Sequence, residues 1–173
     1  MNDLIELEKK IVPEMIETLE KRYEILRSIN YYQPIGRRAL ANNLKLGERT
    51  VRTEITILKE QGLINTESVG MYVTEEGKNL LESLKDVIYS IKGLRDLERT
   101  LEDTLNIDKV YIVPGNSDED ELVLKDMGKR AAKYFKKLIK DDYIVGITGG
   151  TTMKQFAEEV NSEKLANDVL VLP

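Results

Sequence analysis

The sequence predicts an α+β winged helix-turn-helix, then a long linker helix, then the first part of an α/β domain with a Rossmann-like parallel sheet. Three observations predict it. Residues 34–62 read as a short helix, a tight turn and a second helix with an apolar stripe. Residues 76–106 repeat leucine, isoleucine and valine at intervals that mostly alternate three and four. Beyond Asp108, short apolar runs alternate with helical stretches, the pattern of strands joined by crossover helices. The boundaries drawn from this are 1–78 for the first domain, 79–107 for the linker helix and 108–173 for the partial α/β domain.

Across residues 3–30, Leu4, Leu7, Ile11, Met15, Leu19, Leu26 and Ile29 follow a helical stripe. Pro13 breaks that stripe near Val12, because proline lacks the amide proton a helix interior requires. The piece from about residue 14 to 30 is the first helix of the winged domain. In the next helix Ala39, Leu40 and Leu44 mark the packed side. After the turn, Val51, Ile55, Leu58 and Gly62 recur at intervals of four, three and four, so one face turns inward. Gly47 stands at the N-cap, and Glu48 sits favourably at the positive end of the helix dipole.

The outward face carries the chemistry. Arg49, Thr50, Arg52, Thr53 and Thr56 point away from the apolar stripe. Arginine bonds guanine O6 and N7 bidentately, and threonine offers a hydroxyl and a methyl to base edges. Arg37 and Arg38 open the preceding helix, where backbone phosphates are met. These seven residues are the candidate DNA-binding set. The plainer reading is a three-helix unit with a solvated charged face.

Leu63–Glu67 alternates like a strand, Val69-Gly70 turns, and Met71–Thr74 returns as the second strand of a wing without lysine or arginine. Thr74 then caps a further helix. Its stripe (Leu80, Leu84, Val87, Ile91, Leu94, Leu97, Leu101, Leu105) suits a seam against another helix, either in a partner chain or in its own domain. A reader of palindromic sites needs two heads, which favours a dimer or tetramer.

In the last region, Val110–Val113, Tyr143–Thr148 and Val169–Leu172 read as buried strands, with helices over 121–140 and about 152–160. Gly149, Gly150, Thr151 and Thr152 lie between a strand and a helix. Backbone amides, the helix dipole and two hydroxyls can there grip a phosphate. The loop fits neither the P-loop nor the dinucleotide glycine pattern, and a plain capped turn is the alternative.

Composition narrows the function classes. The chain of 173 residues has a net charge of −5, yet residues 21–59 carry +6, a local basic footprint in an acidic protein. It has no cysteine and no histidine, which excludes disulfides, thiolate or imidazole metal sites and histidine-activated nucleophiles from this chain. No catalytic or metal-binding set and no cofactor is expected. Without a signal peptide or membrane-length apolar run, a cytoplasmic protein with no membrane partner is expected.

The order of PIGRR, ERTVRTEI, LKEQGL, MYVTEEG and VGITGGTT resembles the SorC family of bacterial transcription regulators over the entire chain. That resemblance implies a DNA-binding repressor of sugar metabolism genes, acting on double-stranded operator DNA. It implies an effector domain related to sugar-phosphate isomerases that senses a small phosphorylated sugar instead of converting it. Members of the glycolytic kind respond to fructose-1,6-bisphosphate, and Gly149, Gly150, Thr151 and Thr152 match their phosphate-gripping loop. The family pattern continues past Pro173, so the chain reads as cut short within its effector domain, and complete effector recognition is not expected of it. Two rival readings are a winged-helix module that binds other proteins and an isomerase-like enzyme. For the second, Asp118 and Glu119 are the available carboxylates.

Overall fold

A computed structural model describes residues 11–160 and 166–173. The chain divides after Asp108 into two compact units. The stripe positions Leu4 and Leu7 lie outside the described residues.

In the first unit, helix α1 spans Pro13–Tyr32, with proline in its first turn, where a missing amide proton costs nothing. Helix α2 covers Arg37–Asn43 and helix α3 covers Glu48–Glu60. Strands β1 (Ile64–Glu67) and β2 (Gly70–Val73) form an antiparallel hairpin that pairs Ile64 with Val73 and Glu67 with Gly70. The core gathers Ile25 and Ile29 of α1, Leu40 of α2, Val51 and Leu58 of α3, and Ile64 and Met71 of the hairpin. Ile35 joins the hairpin edge, its carbonyl accepting from Met71 N at 2.9 Å. The Gln33 side chain ties α1 to β2 by accepting from Val73 N at 2.9 Å.

Several expectations shift by a residue or two here. Ala41, not Ala39, faces the core beside Leu40, and Ala39 is exposed. The hairpin turns at Ser68-Val69, and Gly70 is already in the strand. A side chain at Gly70 would sit 2.8 Å from Ile35 N, so the close pass of the Pro34–Ile35 backbone is what needs glycine there.

Helices α2 and α3 end alike. After α3, Leu63 N donates to Leu58 O at 2.9 Å and Gly62 N to Lys59 O at 3.0 Å, with Gly62 at φ 73°. After α2, Leu46 N donates to Ala41 O at 3.0 Å and Lys45 N to Asn42 O at 3.2 Å, with Lys45 at φ 54°. Each pair of bonds closes a Schellman end, which wants a left-handed residue. One site supplies glycine and the other a strained lysine.

The single linker helix expected over 79–107 is two helices. Helix α4 spans Glu75–Ile91, capped by Thr74, whose hydroxyl oxygen accepts from Gly77 N at 3.1 Å. Helix α5 spans Leu94–Leu105. Gly93 at φ 63° breaks the path, since a left-handed residue cannot continue a right-handed helix. The two helices bond to each other through Tyr89 Oη donating to the Glu98 carboxylate, and Arg95 lies 3.5 Å from Asp86. Helix α4 packs on α1 with Leu81 in the shared core, and Ile88 is buried further along it, while Leu97 and Leu105 of α5 stay exposed.

In the second unit, helix α6 spans Glu121–Leu138, strand β3 Ile144–Gly146, helix α7 Thr151–Glu159 and strand β4 Leu170–Leu172. Strands β3 and β4 run parallel and pair Ile144 with Leu170 and Gly146 with Leu172. Asp141 accepts from Asn167 N at 2.8 Å and from its side-chain amide at 3.1 Å, fixing the entry to both strands. Helix α6 lies against α7, with Phe135 edge-on to Phe156 at 5.4 Å. Val110–Val113 is not a strand. An apolar run becomes one only where a neighbour supplies a ladder, and the described sheet has two strands.

Candidate nucleic-acid interface

Helix α3 sorts its side chains strictly. Val51, Ile55 and Leu58 are buried, while Arg49, Thr50, Arg52, Thr53 and Thr56 are all exposed. The Thr53 hydroxyl donates to Arg49 O at 3.2 Å and the Thr56 hydroxyl to Arg52 O at 3.0 Å. These bonds occupy the hydroxyl protons and fix the rotamers. What the two threonines present outward is therefore a methyl and an acceptor oxygen, a surface suited to a thymine methyl or a base amino group.

Arg37 and Arg38 at the start of α2 are exposed beside the start of α3. Together with Glu48 and Arg52 they line a cleft of about 120 Å³. Arg38 Nε lies 3.6 Å from a Glu48 carboxylate oxygen, with both side chains largely in solvent. Such an exposed pair is worth little and yields readily to a stronger anion. Arg37, Arg49 and Arg52 make no ion pair among the described residues. The structure thus brings Arg37, Arg38 and Arg52 together around one cleft, with Arg49, Thr50, Thr53 and Thr56 on the same exposed side of α3.

Glu48, placed by the sequence at the start of α3, takes a second part here, and Glu54 was not singled out from the sequence at all. Glu48 is the one carboxylate lining the cleft among the described residues. Glu54 lies on the inner side of α3 with its side chain 7% exposed. It receives Lys21 Nζ and Arg22 Nε of α1, each at 2.8 Å. Burial alone would raise its pKa, but the bonds and charges of Lys21 and Arg22 outweigh burial and hold it below the ordinary glutamate range. This clamp fixes α3 on α1. It also withdraws Lys21 and Arg22 from the basic footprint, and Arg27 is likewise paired with Glu24 at 2.9 Å. The spacing could have revealed Glu54, since positions 51, 54, 55 and 58 share one helical face.

The loop at Gly149–Thr152 stands apart in the second unit. All four residues are exposed, and Gly150 caps α7 at φ 138° with no side-chain cap. The first amides of α7 are open there, next to the Thr151 and Thr152 hydroxyls. Added β-carbons on Gly149 and Gly150 would touch nothing within 4 Å, so the approach is open. Asp118 and Glu119 lie in a separate turn, where Asn116 Oδ1 accepts from Asp118 N at 3.0 Å.

Residues 18–88 match the family described as the CggR N-terminal DNA binding domain. Residues 89–173 match a sugar-binding domain family. The two matches meet inside α4, whereas the compact units part after Asp108. The chain is 40% identical over 173 residues to the Central glycolytic genes regulator of Bacillus subtilis (strain 168), covering all of this chain and 51% of the relative. It is 41% identical over 174 residues to the Central glycolytic genes regulator of Priestia megaterium (strain DSM 319 / IMG 1521), again 51% of the relative. The chain spans about half the length of these curated relatives. Among the described residues no helix is long and apolar enough to cross a membrane.

Proposed function

We propose that the chain is a sugar-controlled transcriptional repressor, because it matches a CggR N-terminal DNA binding domain family and a sugar-binding domain family and its relatives are named as regulators. Its head acts as a winged helix-turn-helix. Helix α3 enters the major groove, with Arg49 and Arg52 on guanine edges and Thr50, Thr53 and Thr56 on neighbouring bases. Arg37 and Arg38 hold backbone phosphate, and the Glu48 contact of Arg38 gives way to it. The β1–β2 hairpin is the wing. The observation that carries this reading is the wholly exposed Arg/Thr face of α3 beside the three-arginine cleft.

The second half of the reading is the ligand. The loop Gly149–Thr152 takes one phosphate of a sugar phosphate of the fructose-1,6-bisphosphate class, using α7 amides and two hydroxyls. Operator DNA is bound by a homo-oligomer, dimer or tetramer, and the sugar phosphate shifts the population between states that do and do not fit the operator. The second unit, in this account, is part of a Rossmann-like sensor.

Methylation interference on the chain's own promoter fragment tests the head. Methyl groups at guanine N7 within two half-sites should abolish binding. Interference confined to the minor groove, or none at all, would count against α3 as the reader.

A further inference from the structure

Helix α6 carries a charge pattern that the sugar-sensing reading does not use. Glu121–Leu138 holds six basic residues (Lys125, Lys129, Arg130, Lys133, Lys136, Lys137) against Glu121 and Asp126, and Lys140 follows directly. Lys129, Lys133 and Lys137 fall at intervals of four, so they share one side of the helix, and Lys140 lies two residues past its end. All four are exposed, and none has an ion-pair partner among the described residues. Gly128 and Ala132, on a different side, are buried, Gly128 against the backbone of Gln155 in α7.

A merely solvated helix would interleave its charges, and helices α4 and α5 of this chain do so. Lys78 pairs with Glu75, Lys85 with Glu82 and Arg99 with Asp96, each three residues apart. Helix α6 does the reverse around Lys133. Its four neighbours at three and four residues are Lys129, Arg130, Lys136 and Lys137, all cationic. Like charges at these spacings destabilise a helix. The dipole favours cations in the last turn, which accounts for Lys136 and Lys137 but not for Lys129 or Lys133. A repulsive face of this kind becomes favourable against a polyanion.

We propose that this lysine face is a second, sequence-independent contact for the phosphate backbone of duplex DNA. From Lys129 to Lys137 the helix rises about 12 Å, a length of duplex axis over which one strand carries three or four phosphates, at about 3.4 Å of axis each. Lysines act there as point charges, without the planar fork that reads bases. No aromatic ring interrupts the four lysines along that line, so base stacking of a single strand is not its chemistry. The proposal rests on the DNA-binding reading of the head, and it adds affinity without adding specificity.

The test uses the whole 173-residue chain with the variant K129Q/K133Q/K137Q/K140Q. Affinity is measured by fluorescence anisotropy over a salt series, on the promoter duplex and on a random duplex of equal length. The slope of log K against log salt should shrink by about 3.6 if all four lysines meet phosphates. It should shrink equally on both duplexes, leaving the promoter-to-random ratio unchanged. Arg52→Ala should do the opposite, lowering the ratio far more than the slope. Helical content and melting temperature should be retained or slightly raised, since repulsion is relieved. If the fourfold variant does not fold, Lys133→Gln alone should shrink the slope by about 0.9.

A slope equal to that of the parent would overturn the lysine proposal while leaving the head intact. Loss of binding to poly-glutamate with an unchanged DNA slope would make the face an acidic-protein dock and overturn it as well. A parent chain that binds neither duplex at low salt would overturn both readings.

Discussion

Replacing Glu54 with glutamine removes the charge that holds α3 to α1 while keeping the side chain's shape. Two charge-assisted hydrogen bonds are lost, each worth about 1.5–3 kcal/mol in net stability. Full loss is not expected, because the Lys21 and Arg22 side chains are 34% and 33% exposed and can turn to water. That exposure avoids stranding a buried cation, so the expected cost is about 2 kcal/mol, below the range for breaking a fully buried pair. For a unit of roughly 100 residues this is a melting shift of about 8–16 °C. Urea unfolding followed by circular dichroism gives the magnitude, and hydrogen exchange of α3 peptides assigns it to the first unit.

The pH dependence sharpens that test. The pKa of Glu54 is lower folded than unfolded, so the folded chain binds fewer protons in the carboxylate range. The stabilisation is therefore fully present above the ordinary glutamate range and is lost as pH falls through the depressed folded value. Parent and variant should differ at neutral pH and converge in acid. A difference below about 0.5 kcal/mol at pH 7, the size of an ordinary surface change, would refute the clamp. So would a gap that persists undiminished once carboxylates are protonated.

Other perturbations follow from single contacts. Lys45→Gly should stabilise the first unit by about 0.5–1 kcal/mol, since relief of the left-handed strain exceeds glycine's entropic cost; an equal or lower urea midpoint would contradict it. Ser28 is buried in α1, and its hydroxyl has no partner among the described residues. Ser28→Ala should therefore raise stability by about 1 kcal/mol, and a lower midpoint would mean that the hydroxyl is satisfied. Arg52→Ala should cost about 1–3 kcal/mol at the cognate site and relax sequence preference there, as read by competition with single-base operator variants. Thr151→Val should weaken fructose-1,6-bisphosphate binding measured by calorimetry, and equal affinity would take that hydroxyl out of the phosphate grip.

The helix pair α2–α3 was legible because three independent signals coincide between Pro34 and Gly62: an inward stripe, a turn, and an outward set of like chemistry. Each is local. The Thr74 cap was legible for the same reason. The break between α4 and α5 was harder, because Leu80 to Leu105 keeps a helical period across it and only Gly93 marks the reversal. Val110–Val113 has strand composition, but strand formation depends on a neighbour that composition does not describe. Glu54 was passed over because a carboxylate on a buried face makes sense only with its cations, and those lie 32 residues or more away in sequence. The candidate DNA-binding residues could be named because exposure follows from periodicity. The cleft they form with Glu48 could not, since it depends on how α2 meets α3.

The most direct test is the affinity of this chain for its own promoter fragment and for random duplex DNA, followed by anisotropy from low to physiological salt. Tighter binding to the promoter is expected at every salt concentration, with affinity for both duplexes falling steeply as salt rises. Equal binding to the two duplexes across the series would contradict helix α3 as a reader of sequence.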